Sequence, residues 1–532
     1  MVKNVAVIGA GISGLIAIKY CLEEGLEPTC FERSDDIGGV WRFTDEVEVG
    51  RGSIYKSLVA NASKELMALS DFPMPEDFPN FLPNEKFLEY CRLYSEHFKL
   101  GKYIKFKTKV CSVKKNTDFP LTGQWVVVTE TIGEKETAIF DAVMVCGGQY
   151  NEPSIDLDTF PGIEKFKGQV MHCREYKRAV GFDGKQVLII GMGNSGVDVS
   201  TELCTKASKV YISTTSGVWV IRRLGEGGYP WDLKFVTRFK NFILSSVPPS
   251  WARWIIKNYM NQYFNHHFYG IQPKGIVWKE PLVNEEFPSR ILSGSVVVKP
   301  GIKRFTENSA HFEDGTKIDN LDVVILATGY KYSFPFLDES VVKVDDSKGF
   351  LYKKIIPLDL EKPTLAIIGI IQHVGPAMVS AELQSWWATR LFKGLIKLPS
   401  AAEMKEELSR DEKLRLRWFA TAKNNCRRTE YIQYLDEIAA QIGIKPNLFK
   451  LFITDPVLAM KVLFGPCNAY QYRLTGPGKF PGAREAIMTQ WKRIEKPLKT
   501  RVVEDQTSFN FSTIFLWFIC LVILFVAMLV IH

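Results

Sequence analysis

The chain of 532 residues has little of what would tie it to a metal, a disulfide framework or a nucleic acid. Its ten cysteines stand at 21, 30, 91, 111, 146, 173, 204, 426, 467 and 520, and no two form a Cys-x-x-Cys pair. Ten scattered cysteines with no paired spacing do not read as a disulfide framework, and the body suits a reducing compartment. Seven histidines include no HExxH. His266 and His267 are adjacent, and adjacent residues on a helix point apart, so no metal site is read. The N-terminus lacks a cleavable signal pattern, because Val2 leads straight into a strand and a glycine turn. An excess of one charge is also missing: 67 Lys and Arg face 59 Asp and Glu, a net charge of +8. That is too diffuse for nucleic-acid binding, and no zinc-finger or RNA-binding signature accompanies it. It suits an anionic membrane surface or phosphorylated ligands. Long uncharged apolar runs are absent until the C-terminus.

There, Thr507 to Ile531 carries no charge, and Ile514 to Ile531 is almost wholly apolar. At about 1.5 Å per residue this last stretch spans about 27 Å, close to the roughly 30 Å hydrocarbon layer of a bilayer. A buried core helix is seldom apolar on every face. Lys492, Arg493, Lys496, Lys499 and Arg501 precede it and predict a body on the cytosolic side. Only Glu504–Asn510 looks disordered.

The length predicts several domains. Val5-Ala-Val-Ile8 reads as a strand, Ser13 to Glu24 as a helix closed by Gly25, and Pro28 to Glu32 as a second strand. The unit recurs some 180 residues later: strand Gln186-Val-Leu-Ile-Ile190, a glycine turn, a helix over Ser195–Ala207, then strand Lys209–Ser213. Two further strands, in Asp141–Gly148 and Asp322–Tyr330, end in small residues that suit close backbone approach. From about 215 to 295 the chain is aromatic and basic, with Trp219, Trp231, Trp251, Trp254 and Trp278. Trp251, Trp254, Ile255 and Tyr259 share one helical face, which suits either a bilayer surface or packing against another domain.

Gly9-Ala10-Gly11-Ile12-Ser13-Gly14 is GxGxxG between a strand and a helix. Gly9 permits the tight turn, Gly11 lets a pyrophosphate approach the backbone, and Gly14 lets helix and strand pack closely. The helix N-terminus supplies amide donors to the phosphates. Glu32, at the end of the next strand, would accept from ribose hydroxyls and repel a 2′-phosphate, which selects FAD or NAD. Asp36-Ile-Gly-Gly39-Val40-Trp41 would lie along the ribityl or pyrophosphate part of such a ligand. The second loop, Gly191-Met-Gly193-Asn194-Ser195-Gly196, is followed by a strand ending Ser213-Thr-Thr with no acid, then by Arg222 and Arg223. Hydroxyls and guanidinium groups welcome a 2′-phosphate, so this unit reads as an NADPH site.

With these motifs the chain resembles the flavin-containing monooxygenase family. Phe166-Lys-Gly-Gln-Val-Met-His172-Cys-Arg-Glu-Tyr176 is similar to that family's pattern F-x-G-x-x-x-H-x-x-x-Y and stands between the two glycine loops. Glu32–Trp41, Asn61-Ala-Ser-Lys-Glu65, Ala327-Thr-Gly-Tyr330 and Phe464-Gly-Pro-Cys467 add to the likeness, and the insertion and apolar tail resemble the microsomal vertebrate members. Three places depart from the usual pattern: Cys146-Gly-Gly-Gln-Tyr150, Cys173 for Ser, and His373 for Pro.

The resemblance implies an α/β fold of two Rossmann-like dinucleotide-binding domains, a helical aromatic insertion and a C-terminal transmembrane helix. The expected divisions are 1–155 and 331–445 for FAD, 156–330 for NADPH with the insertion at about 215–295, a membrane-proximal region at 446–508 and an anchor at 509–531. It implies residence in the endoplasmic reticulum membrane. It also implies that NADPH reduces FAD, that O2 then gives a flavin C4a-hydroperoxide, and that this oxidant oxygenates small amine or sulfur nucleophiles, xenobiotics among them. Asn61 is the expected catalytic side chain, a neutral donor to peroxide and NADP+. Ala60, Ala62, Gln372, Asp198, Thr214 and Arg223 are expected around the cofactors. His172 and Tyr176 are expected to couple domains rather than transfer protons. Asn61-Ala-Ser63 is also a glycosylation sequon, a reading that a cytosolic body disfavours. Monomer and homo-oligomer are both open.

Three rival readings differ in chemistry. A disulfide reductase needs paired redox cysteines beside the flavin, whereas Cys21 and Cys30 straddle a helix and a strand. Baeyer–Villiger oxygenation of ketones, or uncoupled NADPH oxidation, would use the same fold; the related ketone motif usually ends in Trp where this chain has Tyr176. A membrane-tethered binding protein would leave the intact motifs without a task.

Overall fold

In the computed structural model of this protein, residues 2–273, 281–338, 340–342, 351–418 and 428–501 are described. Two five-stranded parallel sheets organise them. In the first, Leu365–Ile367 lies beside Ala142–Val145, then Asn4–Ile8, Glu27–Phe31 and Ile104–Lys105. In the second, Val296–Lys299 lies beside Lys209–Ser213, then Gln186–Ile190, Val323–Leu326 and Gln169–His172. The chain thus leaves the first sheet, builds the second, and returns to give the first an edge strand.

Both central strands are continuous apolar runs because both faces of each sheet are covered. Val5 and Val7 join the core beneath the helix Ile12–Glu23, whereas Ala6 and Ile8 join a separate core. That second core is shared with an antiparallel sheet of Thr108–Lys115, Trp125–Thr131 and Glu134–Phe140. Val187 and Ile189 likewise face one core, and Leu188 and Ile190 another. The period of two along a strand sends alternate residues to opposite sides.

The helix expected over Ser195–Ala207 runs from Asn194 to Leu203. It stops early because the amides of Lys206 and Ala207 both turn back to the carbonyl of Leu203, closing the last turn tightly.

The insertion is tied down by a short parallel pair, Val220–Ile221 with Leu282–Val283, and carries the helices Trp231–Phe235, Arg238–Ser246 and Pro249–Met260. The shared aromatic face divides. Trp251 and Trp254 are each 66% exposed, so neither is buried against another domain among the described residues, whereas Tyr259 turns inward with its ring 5.2 Å from that of Phe235. The helices Leu448–Thr454 and Pro456–Phe464 extend the exposed apolar surface with Phe449 and Ile453, and Phe464 meets Phe239 at 4.8 Å.

The C-terminal part is fastened to the first unit by buried ionic contacts. Arg473 donates to Asp71 at 2.9 Å, to the Tyr20 hydroxyl at 2.7 Å and to Ser70 Oγ at 2.7 Å. Arg493, in the helix Ala483–Glu495, forms a forked pair with the buried Glu65. Among the described residues no helix is long and apolar enough to cross a membrane. The expected anchor at 509–531, the disordered stretch Glu504–Asn510 and Trp278 lie outside the described residues.

Candidate dinucleotide and oxygen-transfer site

Both glycine loops have the geometry their spacing predicts. Gly9 has φ +99°, and a Cβ there would stand 2.9 Å from the carbonyl of Cys146. At Gly14 it would lie 1.8 Å from the Gly9 carbonyl, an overlap no side chain survives. The second loop repeats this: a Cβ on Gly191 would lie 2.4 Å from Ala327 O, and one on Gly196 would lie 2.2 Å from Gly191 O. The small residues closing the strands at Cys146 and Ala327 are therefore what each loop packs against. Gly193 instead meets nothing within 4 Å, which leaves open space over the backbone.

Neither helix following a loop has a side-chain cap; Gly11 and Gly193 occupy the cap positions. The first-turn amides, from Ile12 and Ser13 in one helix and Asn194 and Ser195 in the other, are thus left for an anion. This fits the pyrophosphate of a dinucleotide in each unit.

Glu32 is buried at the first loop. Its Oε2 accepts from the Ala10 amide at 2.7 Å, and its Oε1 accepts from the amide and hydroxyl of Ser34. A carboxylate offers about four lone-pair sites, so acceptor capacity remains for a ribose. Gly38 donates to the Ala10 carbonyl at 3.0 Å and draws the turn Gly39–Val40–Trp41 against the loop, with Trp41 on Phe87 at 4.3 Å. In the second unit the Thr214 hydroxyl accepts from Gly217, and Asn194 Oδ1 accepts from the Val283 amide. Asp198 accepts from Tyr55 at 2.5 Å and from Asn284 at 2.8 Å, and burial pushes its carboxyl up.

The segment Val59-Ala60-Asn61-Ala62-Ser63 is held at both ends by the insertion. Arg223 Nη2 donates to Asn61 Oδ1 at 2.9 Å, Arg223 Nε reaches the Ala60 carbonyl at 3.4 Å, and Nη1 pairs with Glu285 at 3.1 Å. A guanidinium can only donate, so the atom facing it must be the amide oxygen. The Nδ2–H donors of Asn61 consequently point away from Arg223. At the other end Asp232 accepts from the Ser63 amide at 2.6 Å. Burial raises the Asp232 carboxyl to about 6. Arg222, the neighbour of Arg223, stacks on Tyr263 at 3.6 Å.

Sequence reasoning singled out Arg223 and Asn61 separately and gave no sign that they touch. It missed Asp232 and Glu285 altogether. The signal available was weak: a buried-type acid in a tryptophan-rich stretch, Trp231-Asp232-Leu233.

In the F-x-G-x-x-x-H-x-x-x-Y segment, Gly168 is required because a Cβ would meet Asp322 O at 2.4 Å. His172 Nε2 lies 3.1 Å from the Gly329 carbonyl, and its Nδ1 accepts from the Arg174 amide. Burial holds this imidazole down to about 4, so it is neutral at pH 7. Tyr176 is buried against Tyr55 and Phe182. In this segment Gln169–His172 form the edge strand of the second sheet, beside Val323–Leu326, and His172 reaches the Gly329 carbonyl beyond that strand. Gln372 lines a cavity shared with the insertion, three residues after Gly369, where a Cβ would stand 2.8 Å from Ser13 Oγ of the first glycine loop. Among the described residues no cluster of His, Cys, Asp and Glu could hold a metal, and the described cysteines are free.

Residues 2–532 match the family described as Flavin-binding monooxygenase-like. The chain is 53% identical over 513 residues to "Dimethylaniline monooxygenase [N-oxide-forming] 2" of Macaca mulatta, covering 96% of each chain. It is 52% identical over 509 residues to "Flavin-containing monooxygenase 1" of Sus scrofa, again over 96% of each. Among solved structures it is similar to S-allyl-L-cysteine S-oxygenase from Allium sativum, at 25% identity and a TM-score of 0.64, over 93% of this chain and 99% of that one. Cyclohexanone monooxygenase from Rhodococcus sp. Phi1 bound to NADP+ shares the fold, at 16% identity and a TM-score of 0.60, over 83% and 98%.

Proposed function

The chain belongs to the flavin-binding monooxygenase-like family, and from that premise we propose that it is an NADPH- and O2-dependent FAD monooxygenase acting on soft nucleophiles, the nitrogen of amines and the sulfur of thioethers. The observation that carries this reading is the bond between Arg223 and Asn61. It joins an arginine that follows the second nucleotide unit to an amide beside the first, and it leaves that amide's donors facing away from the arginine. When bound, FAD supplies hydride acceptance and O2 activation, chemistry no side chain here can provide.

The chain's own residues hold and orient. The Gly9–Gly14 loop and Glu32 would take the FAD pyrophosphate and ribose, and Gly39, Val40 and Trp41 would line its path. The Gly191–Gly196 loop would take the NADPH pyrophosphate, with Thr214 near the 2′-phosphate end. Asn61, with its oxygen fixed by Arg223, offers Nδ2–H to an oxygen atom carrying negative charge. An amide stabilises that charge without giving up a proton, which suppresses release of H2O2.

The segment 509–531 serves as an anchor in the endoplasmic reticulum membrane, with the body on the cytosolic side. The exposed Trp251, Trp254, Phe449 and Ile453 support this, since an apolar surface of this kind suits a bilayer interface. Substrates of this kind, including xenobiotics, partition into that interface.

Stopped-flow absorbance tests the reading. Protein reduced anaerobically with NADPH is mixed with O2 in the absence of substrate. A long-lived near-ultraviolet absorbance that decays faster on adding a thioether is the expected result. Immediate return of oxidised flavin with stoichiometric H2O2 would overturn it. Conversion of a ketone but not of the thioether would point to ester formation instead.

A further inference from the structure

Asn61-Ala62-Ser63 interrupts a paired stretch of backbone. On one side the Ala60 amide donates to the Leu82 carbonyl at 2.8 Å, and on the other the Lys64 amide donates to the Asn80 carbonyl at 2.8 Å. Between these two bonds the Ser63 amide turns the other way, into the insertion, and donates to Asp232 Oδ2 at 2.6 Å. Ser63 is wholly buried and Asp232 nearly so, so solvent does not compete for this bond. Ser63 is also where the extended backbone, at φ −70° and ψ 153°, enters the helix Lys64–Met67.

Asp232 and Arg223 reach this segment from one tight hairpin. The Trp231 amide donates to the Arg223 carbonyl at 3.1 Å and the Gly225 amide to the Tyr229 carbonyl at 2.7 Å, with Leu224 opposite Pro230. A Cβ on Gly225 would stand 2.7 Å from Trp231 Cα, so the two arms are in close contact. Arg223 leaves one arm to hold the Asn61 side chain and, at 3.4 Å, the Val59 and Ala60 carbonyls before it. Asp232 leaves the other arm to hold the backbone after it. An amide whose oxygen alone is anchored can still swing with its backbone; the bond at Ser63 removes that freedom.

Asp232 is a costly anchor. Its Oδ1 is buried without a hydrogen-bond partner, and burying a carboxylate with unmet lone pairs is unfavourable. A charged acceptor does make a shorter and stronger bond than a neutral one. The choice of an acid here favours geometry over stability, and the geometry it fixes lies two residues from Asn61.

We propose that Asp232 is a positioning residue for oxygen transfer: its bond to the Ser63 amide fixes the backbone from which Asn61 presents its donors. The inference rests on the oxygenation reading above. Asp232 acts through the Ser63 peptide and transfers no proton.

The test compares wild type, Asp232→Ala and Asp232→Asn as full-length, FAD-loaded protein above pH 7, where the carboxyl, raised to about 6 by burial, is charged. With benzyl methyl sulfide as the probe, sulfoxide, H2O2 and NADPH consumption are measured together, alongside the anaerobic rate of flavin reduction. Asp232→Ala is expected to lower the ratio of sulfoxide to H2O2 about fivefold or more, the effect of one unmade bond to a buried amide, while flavin content and reduction rate stay within about twofold. Asp232→Asn keeps an acceptor and should recover most of the ratio. A wild-type ratio in flavin-loaded Asp232→Ala would overturn the proposal. Equal losses in Asp232→Ala and Asp232→Asn would also overturn it, since the charge and not the bond would then matter. If Asp232→Ala did not retain flavin, Asp232→Ser, whose hydroxyl ends one bond short of the carboxylate oxygens, takes its place under the same readouts and expectations. Loss of flavin from this variant too would make Asp232 a structural residue. Wild type that formed no sulfoxide would overturn the oxygenation reading itself, and the proposal with it.

Discussion

Arg223→Lys separates the two tasks that meet at this arginine. Arg223 donates to Asn61 at 2.9 Å and to Glu285 at 3.1 Å from a single planar fork. A hydrogen bond to a charged partner is worth about 1.5–3 kcal/mol net. The Glu285 pair adds at most about 1 kcal/mol, because that carboxylate is 44% exposed and can turn to water. Lysine keeps the charge but cannot span both partners in one plane. If about 1.4 kcal/mol of orientational preference at Asn61 is lost, the productive orientation falls roughly tenfold relative to its alternatives. The fraction of NADPH recovered as sulfoxide should therefore drop severalfold, with H2O2 accounting for the rest. NADPH consumption, H2O2 and sulfoxide are measured together, alongside KM for NADPH. Unchanged sulfoxide per NADPH with only a raised KM would refute the argument: Arg223 would then serve the cofactor phosphate and not the Asn61 amide.

Other substitutions address the remaining links. Asn61→Asp replaces the outward donor with a carboxylate oxygen, and product per NADPH should fall while flavin reduction by NADPH persists; an unchanged yield would remove Asn61 from the oxygen-transfer step. Gly14→Ala forces a Cβ to 1.8 Å from Gly9 O and should cost the visible flavin absorbance of the purified protein, whereas Gly196→Ala, at 2.2 Å from Gly191 O, should keep flavin and lose reduction by NADPH. Burial raises the Asp232 carboxyl to about 6, so the folded state holds this proton more tightly than the unfolded chain, and stability is lost as pH rises from about 4 to 6. Asp232→Asn removes that penalty while keeping an acceptor for the Ser63 amide, so its Tm should gain on wild type across this window; a flat difference would refute the assignment. Arg493→Ala strands the buried Glu65 and should cost about 3–5 kcal/mol, read by denaturant unfolding, since breaking a buried pair leaves one charge without its partner.

The sequence by itself determined the two nucleotide-binding units, because their signals are local. A strand, a GxGxxG turn and a helix within some twenty-five residues leave one packing, and a Cβ at Gly14 or Gly196 would collide with the loop that carries it. The acid at Glu32 and its absence after Ser213 are likewise read at fixed offsets. Helix ends were legible only within a few residues, as the stop at Leu203 shows, because the closing bonds depend on what the following turn can reach. The insertion illustrates the limit better. Its helical face predicted one orientation for Trp251, Trp254, Ile255 and Tyr259, yet Phe235 from a neighbouring helix draws Tyr259 inward and leaves the tryptophans exposed. Tertiary structure alone decided that Arg223 meets Asn61 across 162 positions, that Asp232 meets Ser63 across 169, and that Gln372 faces Glu430 in one cavity. Such contacts leave no periodic trace in the chain. They arise where separate elements are brought together by burial of their apolar faces, and the polar groups carried along bond whichever partner that packing presents.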